Sequence, residues 1–110
     1  MLPRFLIIAL VAIVVVALLA TSVSETTARD ISPDHDVVMF AAEWCGYCDQ
    51  ARAFFQQHQI DFLEIDIESS TEANRQWRDA GGRGVPLTFI GDQRIAGFSA
   101  PAYDQALEQL

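Results

Sequence analysis

A chain of 110 residues holds one small domain. Its fifteen Asp and Glu against seven Arg, with no Lys, give a formal charge of −8, which argues against any general attraction to nucleic acid or anionic lipid. Cys45 and Cys48 are its only cysteines, so the chain can form one thiol pair.

Residues 5–20, FLIIALVAIVVVALLA, are an unbroken apolar run of sixteen, with Arg4 before it and the polar stretch 21–30 after it. Such a run has no polar face to show to water, which makes a buried helix of a soluble fold a poor reading. It predicts a membrane anchor or an export signal. With Leu2, Thr21, Ser22 and Val23 it nears the ~20 residues of a membrane span, and the small residues Ala20 and Ser22 offer a cleavage site after Ser22. We therefore expect residues 1–23 to be a signal-anchor or signal peptide, 24–35 a linker, and 36–110 the folded domain. The expected location is the cytoplasmic membrane, single-pass, with Arg4 inside and the domain on the outer, periplasmic side. Cleavage would instead leave a secreted or periplasmic protein.

Residues 36–41 are a short apolar run of strand type, and 49–58 read as a helix. Cys45-Gly46-Tyr47-Cys48 lies at that junction. Unpaired backbone N–H groups and the helix dipole there favour an anion such as a thiolate, so Cys45 is expected to have a lowered pKa, with Cys48 one turn inside the helix. One thiol can attack a disulfide and the other resolve the mixed intermediate. Half a zinc site is the competing reading; it needs two more ligands, and only His35 and His58 are on hand. A structural disulfide is another, though so short a loop gains little stability from closure. Two thiolates would also suit a membrane-tethered module carrying a soft metal.

Residues 60–67 predict a second strand, with Leu63, Ile65 and Ile67 on one face. Residues 69–80 predict a helix capped by Ser69 with Glu72, and Gly81 ends it. A Gly-rich loop, 81–84, leads to a third strand over 85–90. Gly91-Asp92 turns it into a hairpin with 93–96. Ser99 caps a last helix, with Ala102, Ala106, Leu107 and Leu110 available to face the sheet. The order is β-α-β-α-β-β-α, an α/β class with helices on the faces of a central sheet. Phe40, Phe54, Phe55, Phe62, Trp77 and Phe89 would supply the bulk of the core.

Four features in this order resemble a glutaredoxin, a branch of the thioredoxin-like fold, over roughly residues 36–110. They are Trp44-Cys45-Gly46-Tyr47-Cys48 after a strand, Leu63-Glu64-Ile65-Asp66-Ile67, Gly84-Val85-Pro86 before a strand, and Gly97-Phe98 before the last helix. The resemblance implies a central mixed sheet, preceded here by one N-terminal hydrophobic helix. It implies a thiol–disulfide oxidoreductase that reduces protein disulfides or glutathione mixed disulfides, with Cys45 the nucleophile and Cys48 the resolving thiol. Pro86 resembles the family's cis-proline, and Trp44, Tyr47, Arg83, Val85, Pro86, Gly97 and Phe98 would form the substrate groove. Glutathione is the implied co-substrate. Disulfide-containing proteins or glutathione are the implied partners, with glutathione or a thioredoxin-reductase-like enzyme supplying electrons. No bound cofactor, metal or nucleic acid is expected, and the domain is expected to be a monomer tied to the membrane by its N-terminal helix. Two usual glutathione contacts are missing. Ala42 stands where many members carry Lys, and Ala96-Gly97-Phe98-Ser99-Ala100 lacks the acidic residues that hold the glutathione amino group. Gly46 in the pair is compatible with an iron–sulfur cluster bridged between two copies, a lesser alternative that the second cysteine opposes.

Overall fold

The structure, a computed structural model, describes residues 2–20 and 25–110. Its elements are α1 (Arg4–Ala20), α2 (Ala28–Ile31), β1 (Val37–Ala41), α3 (Gly46–Gln57), β2 (Leu63–Asp66), α4 (Thr71–Asp79), β3 (Leu87–Ile90), β4 (Gln93–Ala96) and α5 (Ala100–Glu108). From β1 onward this is the expected order.

The four strands form one mixed sheet in the order β2-β1-β3-β4. β1 runs parallel to β2, with Phe40 opposite Ile65, and antiparallel to β3, with Phe40 also opposite Leu87. All five residues of β1 are buried. That explains its unbroken apolar sequence, since a central strand covered on both faces has no solvent side. A parallel pair cannot be joined by a tight turn, and α3 makes the crossover. β3 and β4 form the expected hairpin, with Ile90 opposite Gln93.

Phe40, Phe55, Phe89 and Tyr103 are fully buried. Tyr103 of α5 stacks on Phe55 of α3 at 5.1 Å and meets Phe54 edge-on at 5.5 Å, so the two helices lock over the sheet through aromatic rings. Arg52 ties α3 to the sheet by donating to Glu64 at 2.7 Å, and within α3 it donates to Asp49 at 2.6 Å.

Several expectations are corrected. Within the expected linker 24–35, residues 28–31 form α2. Thr27 caps it in a reciprocal box with Asp30, and the Ala28 N–H donates to Gly91 O at 2.9 Å. Ala28 is fully buried in the core, so this stretch docks on the β3–β4 turn. The cap of α4 is Ser70, whose Oγ accepts the Ala73 N–H at 3.0 Å, while Ser69 turns back to Asp66 O. Leu110 is 58% exposed, with its side chain over Gly91 at the β3–β4 turn.

The expected single-pass placement in the cytoplasmic membrane is overturned. Among the described residues no helix is long and apolar enough to cross a membrane. α1 has 17 residues, which at ~1.5 Å each reach roughly 26 Å against a hydrocarbon core of about 30 Å. The cleavage site after Ser22 and the extension of the span through Val23 lie outside the described residues.

Candidate active site

β1 delivers the chain to the site. Ala41 ends the strand, Ala42 is buried, and the Cys45 N–H closes a turn onto Ala42 O at 3.3 Å. Cys45 then has extended backbone angles and caps α3. Its Sγ accepts the backbone N–H of Cys48 at 3.1 Å, where a helix usually offers a Ser or Asp oxygen. The helix therefore starts three residues before the expected Asp49. A sulfur at this point faces an amide donor and the positive end of the helix dipole, and both favour its anionic form.

Cys45 and Cys48 are joined by a disulfide, with their Cα atoms 5.2 Å apart. Cys48 is fully buried and Cys45 is 5% exposed. Cys45 is thus the sulfur-bearing residue nearer to solvent. Its Sγ lies 3.5 Å from the carbonyl oxygen of Val85, across the sheet. The Val85–Pro86 peptide is cis, as the resemblance implied. Among the described residues no group of three or more His, Cys, Asp or Glu could hold a metal ion.

Trp44 and Tyr47, 69% and 64% exposed, stand on either side of Cys45 in sequence. The Trp44 Nε1 donates to Glu68 Oε1 at 2.7 Å. Next to the pair a cleft of about 540 Å³ is lined by Gly81, Arg83, Gly84, Val85, Pro86, Leu87, Arg94, Ala96 and Gly97. It gathers four of the residues named for the substrate groove, Arg83, Val85, Pro86 and Gly97. Trp44, Tyr47 and Phe98 do not line it. Phe98 is half-buried, with its ring 5.2 Å from Tyr103 and 6.0 Å from Phe54. Gly97 has φ +80°, with nothing near the place of a Cβ, so its backbone angle and not crowding selects glycine there. Its N–H donates to Pro86 O at 2.9 Å.

Sequence reasoning missed Arg94 and Tyr103. Arg94 lines the cleft and donates from Nη2 to Gly81 O at 2.6 Å. Tyr103 OH pairs with the buried Thr88 hydroxyl at 2.8 Å and reaches Gly97 O at 3.5 Å, so it supports the cleft from below. Burial raises the Tyr103 pKa above its ordinary value, and the bond to Thr88 partly opposes this.

The glutaredoxin family model matches residues 37–95. A glutaredoxin of Pseudomonas aeruginosa is 34% identical over 62 residues, which cover 56% of this chain and 74% of that protein. The chloroplastic monothiol glutaredoxin-S12 of Arabidopsis thaliana is 26% identical over 83 residues, 71% of this chain and 46% of its own length; the match thus spans about half of that relative. Among solved structures, a glutaredoxin from Archaeoglobus fulgidus superposes with a TM-score of 0.60 at 20% identity, covering 66% of this chain and 86% of its own. A buckwheat glutaredoxin–glutathione complex gives 0.56 at 24% identity, covering 69% and 76%. These likenesses place the domain in the thioredoxin-like fold. With a family match over more than half its length and a Cys-x-x-Cys pair at the strand-to-helix junction, the chain belongs to the glutaredoxin family of thiol–disulfide oxidoreductases.

Proposed function

We propose that this protein reduces disulfides of proteins, or mixed disulfides of glutathione, with Cys45 as the attacking thiol and Cys48 as the resolving one. The observation that carries this is the position of Cys45 Sγ at the cap of α3, within 3.1 Å of the Cys48 N–H and bonded to a partner sulfur that is itself fully buried. An incoming disulfide meets Cys45 first.

In the forward direction the Cys45 thiolate attacks one sulfur of the substrate. The substrate S–S bond breaks, and its leaving sulfur departs as a thiolate and takes up a proton. Cys48 loses its proton and attacks Cys45 Sγ, which releases the second substrate thiol. Two electrons have moved to the substrate, and the pair is left as the Cys45–Cys48 disulfide. Two further thiols, from two glutathione molecules or one dithiol reductase, must then return two electrons and two protons and leave as a disulfide to close the cycle.

The same geometry supports a reading of the substrate residues. Val85 and Pro86 present backbone beside the sulfur, and an extended chain can pair with such an edge. Gly97 bounds the cleft on the far side, and Phe98 shapes it from behind. Trp44 and Tyr47 offer exposed apolar faces to the rest of a protein substrate. Arg83 is exposed at the cleft and has no ion pair among the described residues, so it can take a carboxylate of glutathione. With Ala42 in place of a Lys, that cleft holds glutathione through fewer charges than most of the family.

The test is turnover by the full chain on a cystine-bridged peptide and on a glutathionylated peptide, with Cys45→Ser alongside. The substitution should abolish both activities. Full activity in Cys45→Ser would sink the proposal.

A further inference from the structure

Segment 80–84 joins α4 to the strand that carries the cleft, and three of its five residues are glycine (Gly81, Gly82 and Gly84). A backbone so permissive loses much entropy when fixed. Two side chains from different elements fix it. From α4, Trp77 Nε1 donates to Gly84 O at 3.1 Å, and its own carbonyl accepts the Gly82 N–H at 2.8 Å. The indole lies so close under Gly82 that a Cβ there would overlap it. From β4, Arg94 Nε donates to Ala80 O at 3.3 Å and Nη2 to Gly81 O at 2.6 Å.

The next residue along the chain is Val85, whose carbonyl oxygen lies 3.5 Å from Cys45 Sγ. That oxygen acts against the helix cap. It accepts a hydrogen bond from a neutral thiol and repels a thiolate, whereas the Cys48 N–H does the reverse. The placement of segment 80–84 therefore bears on the state of the sulfur as well as on the shape of the cleft.

We propose that Trp77 and Arg94 are positioning residues for thiol–disulfide exchange: they clamp segment 80–84 so that the Val85 carbonyl stays against Cys45 Sγ and the Arg83–Val85 wall of the cleft keeps its shape for the substrate. Neither side chain touches a cysteine. The inference rests on Cys45 being the attacking thiol.

Two measurements on the full chain test it, using Trp77→Phe, which keeps a ring under Gly82 but loses the N–H, and Arg94→Lys, which keeps the charge but loses the two-carbonyl fork. The first is the rate of alkylation by iodoacetamide against pH, in a Cys48→Ser background where Cys45 is the only thiol. Each variant should shift the midpoint to lower pH and speed alkylation below the midpoint by about two- to threefold, as the neutral thiol loses its acceptor. The second is turnover of a cystine-bridged peptide with both cysteines present; KM should rise severalfold while kcat stays close to that of the unsubstituted chain. An unchanged midpoint and unchanged KM in both variants, with only a lowered melting temperature, would overturn the proposal and leave the clamp a purely structural one. Absence of turnover in the unsubstituted chain would count against the proposed function instead, because the alkylation midpoint decides the clamp without it.

Discussion

Trp44 and Glu68 are joined by a hydrogen bond of 2.7 Å, which ties the residue before Cys45 to the loop after β2. An indole that is 69% exposed and yet anchored presents a fixed apolar face to solvent. Glu68→Ala should release it. Because the bond is exposed, stability should change by no more than about 1 kcal/mol. KM for a protein disulfide should rise, with kcat little altered. Steady-state kinetics beside a urea melt separates the two effects, and an unchanged KM would show that indole orientation has no part in docking.

Two glycines in the same region should respond in opposite ways to alanine. Gly46 opens α3 with nothing within 4 Å of the place a Cβ would take, so Gly46→Ala should be neutral or stabilise by up to about 1 kcal/mol through the unfolded chain. Gly82→Ala drives a methyl into the Trp77 indole and should cost about 1–3 kcal/mol. Urea midpoints of the two variants give the comparison directly.

Tyr103 is expected to set the alkaline limit of stability. Burial raises its folded pKa above the unfolded value near 10. Its contribution is therefore complete below pH ~10 and is lost as pH climbs through the folded value, because the unfolded chain gives up that proton first. Tyr103→Phe should flatten the alkaline limb of a stability–pH curve. At neutral pH it should cost about 1–3 kcal/mol, since the Thr88 hydroxyl is left buried without its partner at 2.8 Å.

Cys48→Ser should stop the cycle halfway. Incubated with oxidised glutathione, the variant should accumulate as a mixed disulfide at Cys45, seen by mass spectrometry as one added glutathione that dithiothreitol removes. The unsubstituted chain should instead resolve to its internal disulfide. Equal adduct in both proteins would argue that Cys48 does not act on Cys45.

The parts of this fold that could be read from the sequence are those whose signal is local. β1 is five apolar residues in a row because it lies in the middle of the sheet. The β3–β4 hairpin announces itself by Gly91-Asp92 between two strand-like runs. The thiol pair was visible because its chemistry depends on spacing along one strand-to-helix junction. What stayed hidden depends on distant partners. α2 is held by one small buried residue, Ala28, which carries no hydrophobic periodicity. Tyr103 was overlooked beside aliphatic neighbours, although its ring fills the gap between α3 and α5. Arg94 on an exposed strand reads as a solvated charge until segment 80–84 folds back to meet it. The apolar composition of residues 5–20 was evident, but composition did not fix how far the helix runs.

Among the described residues the strand order β2-β1-β3-β4 also leaves two lateral borders without a strand partner, where other chains could add on. The β2 border carries Glu64 and Asp66, and the β4 border carries Arg94, already engaged with its own chain. Glu64 is itself already paired with Arg52 at 2.7 Å, so it is the chain's formal charge of −8, more than any one side chain at a border, that sets two copies against each other. That repulsion should slow ribbon-like stacking of the domain even when it is crowded.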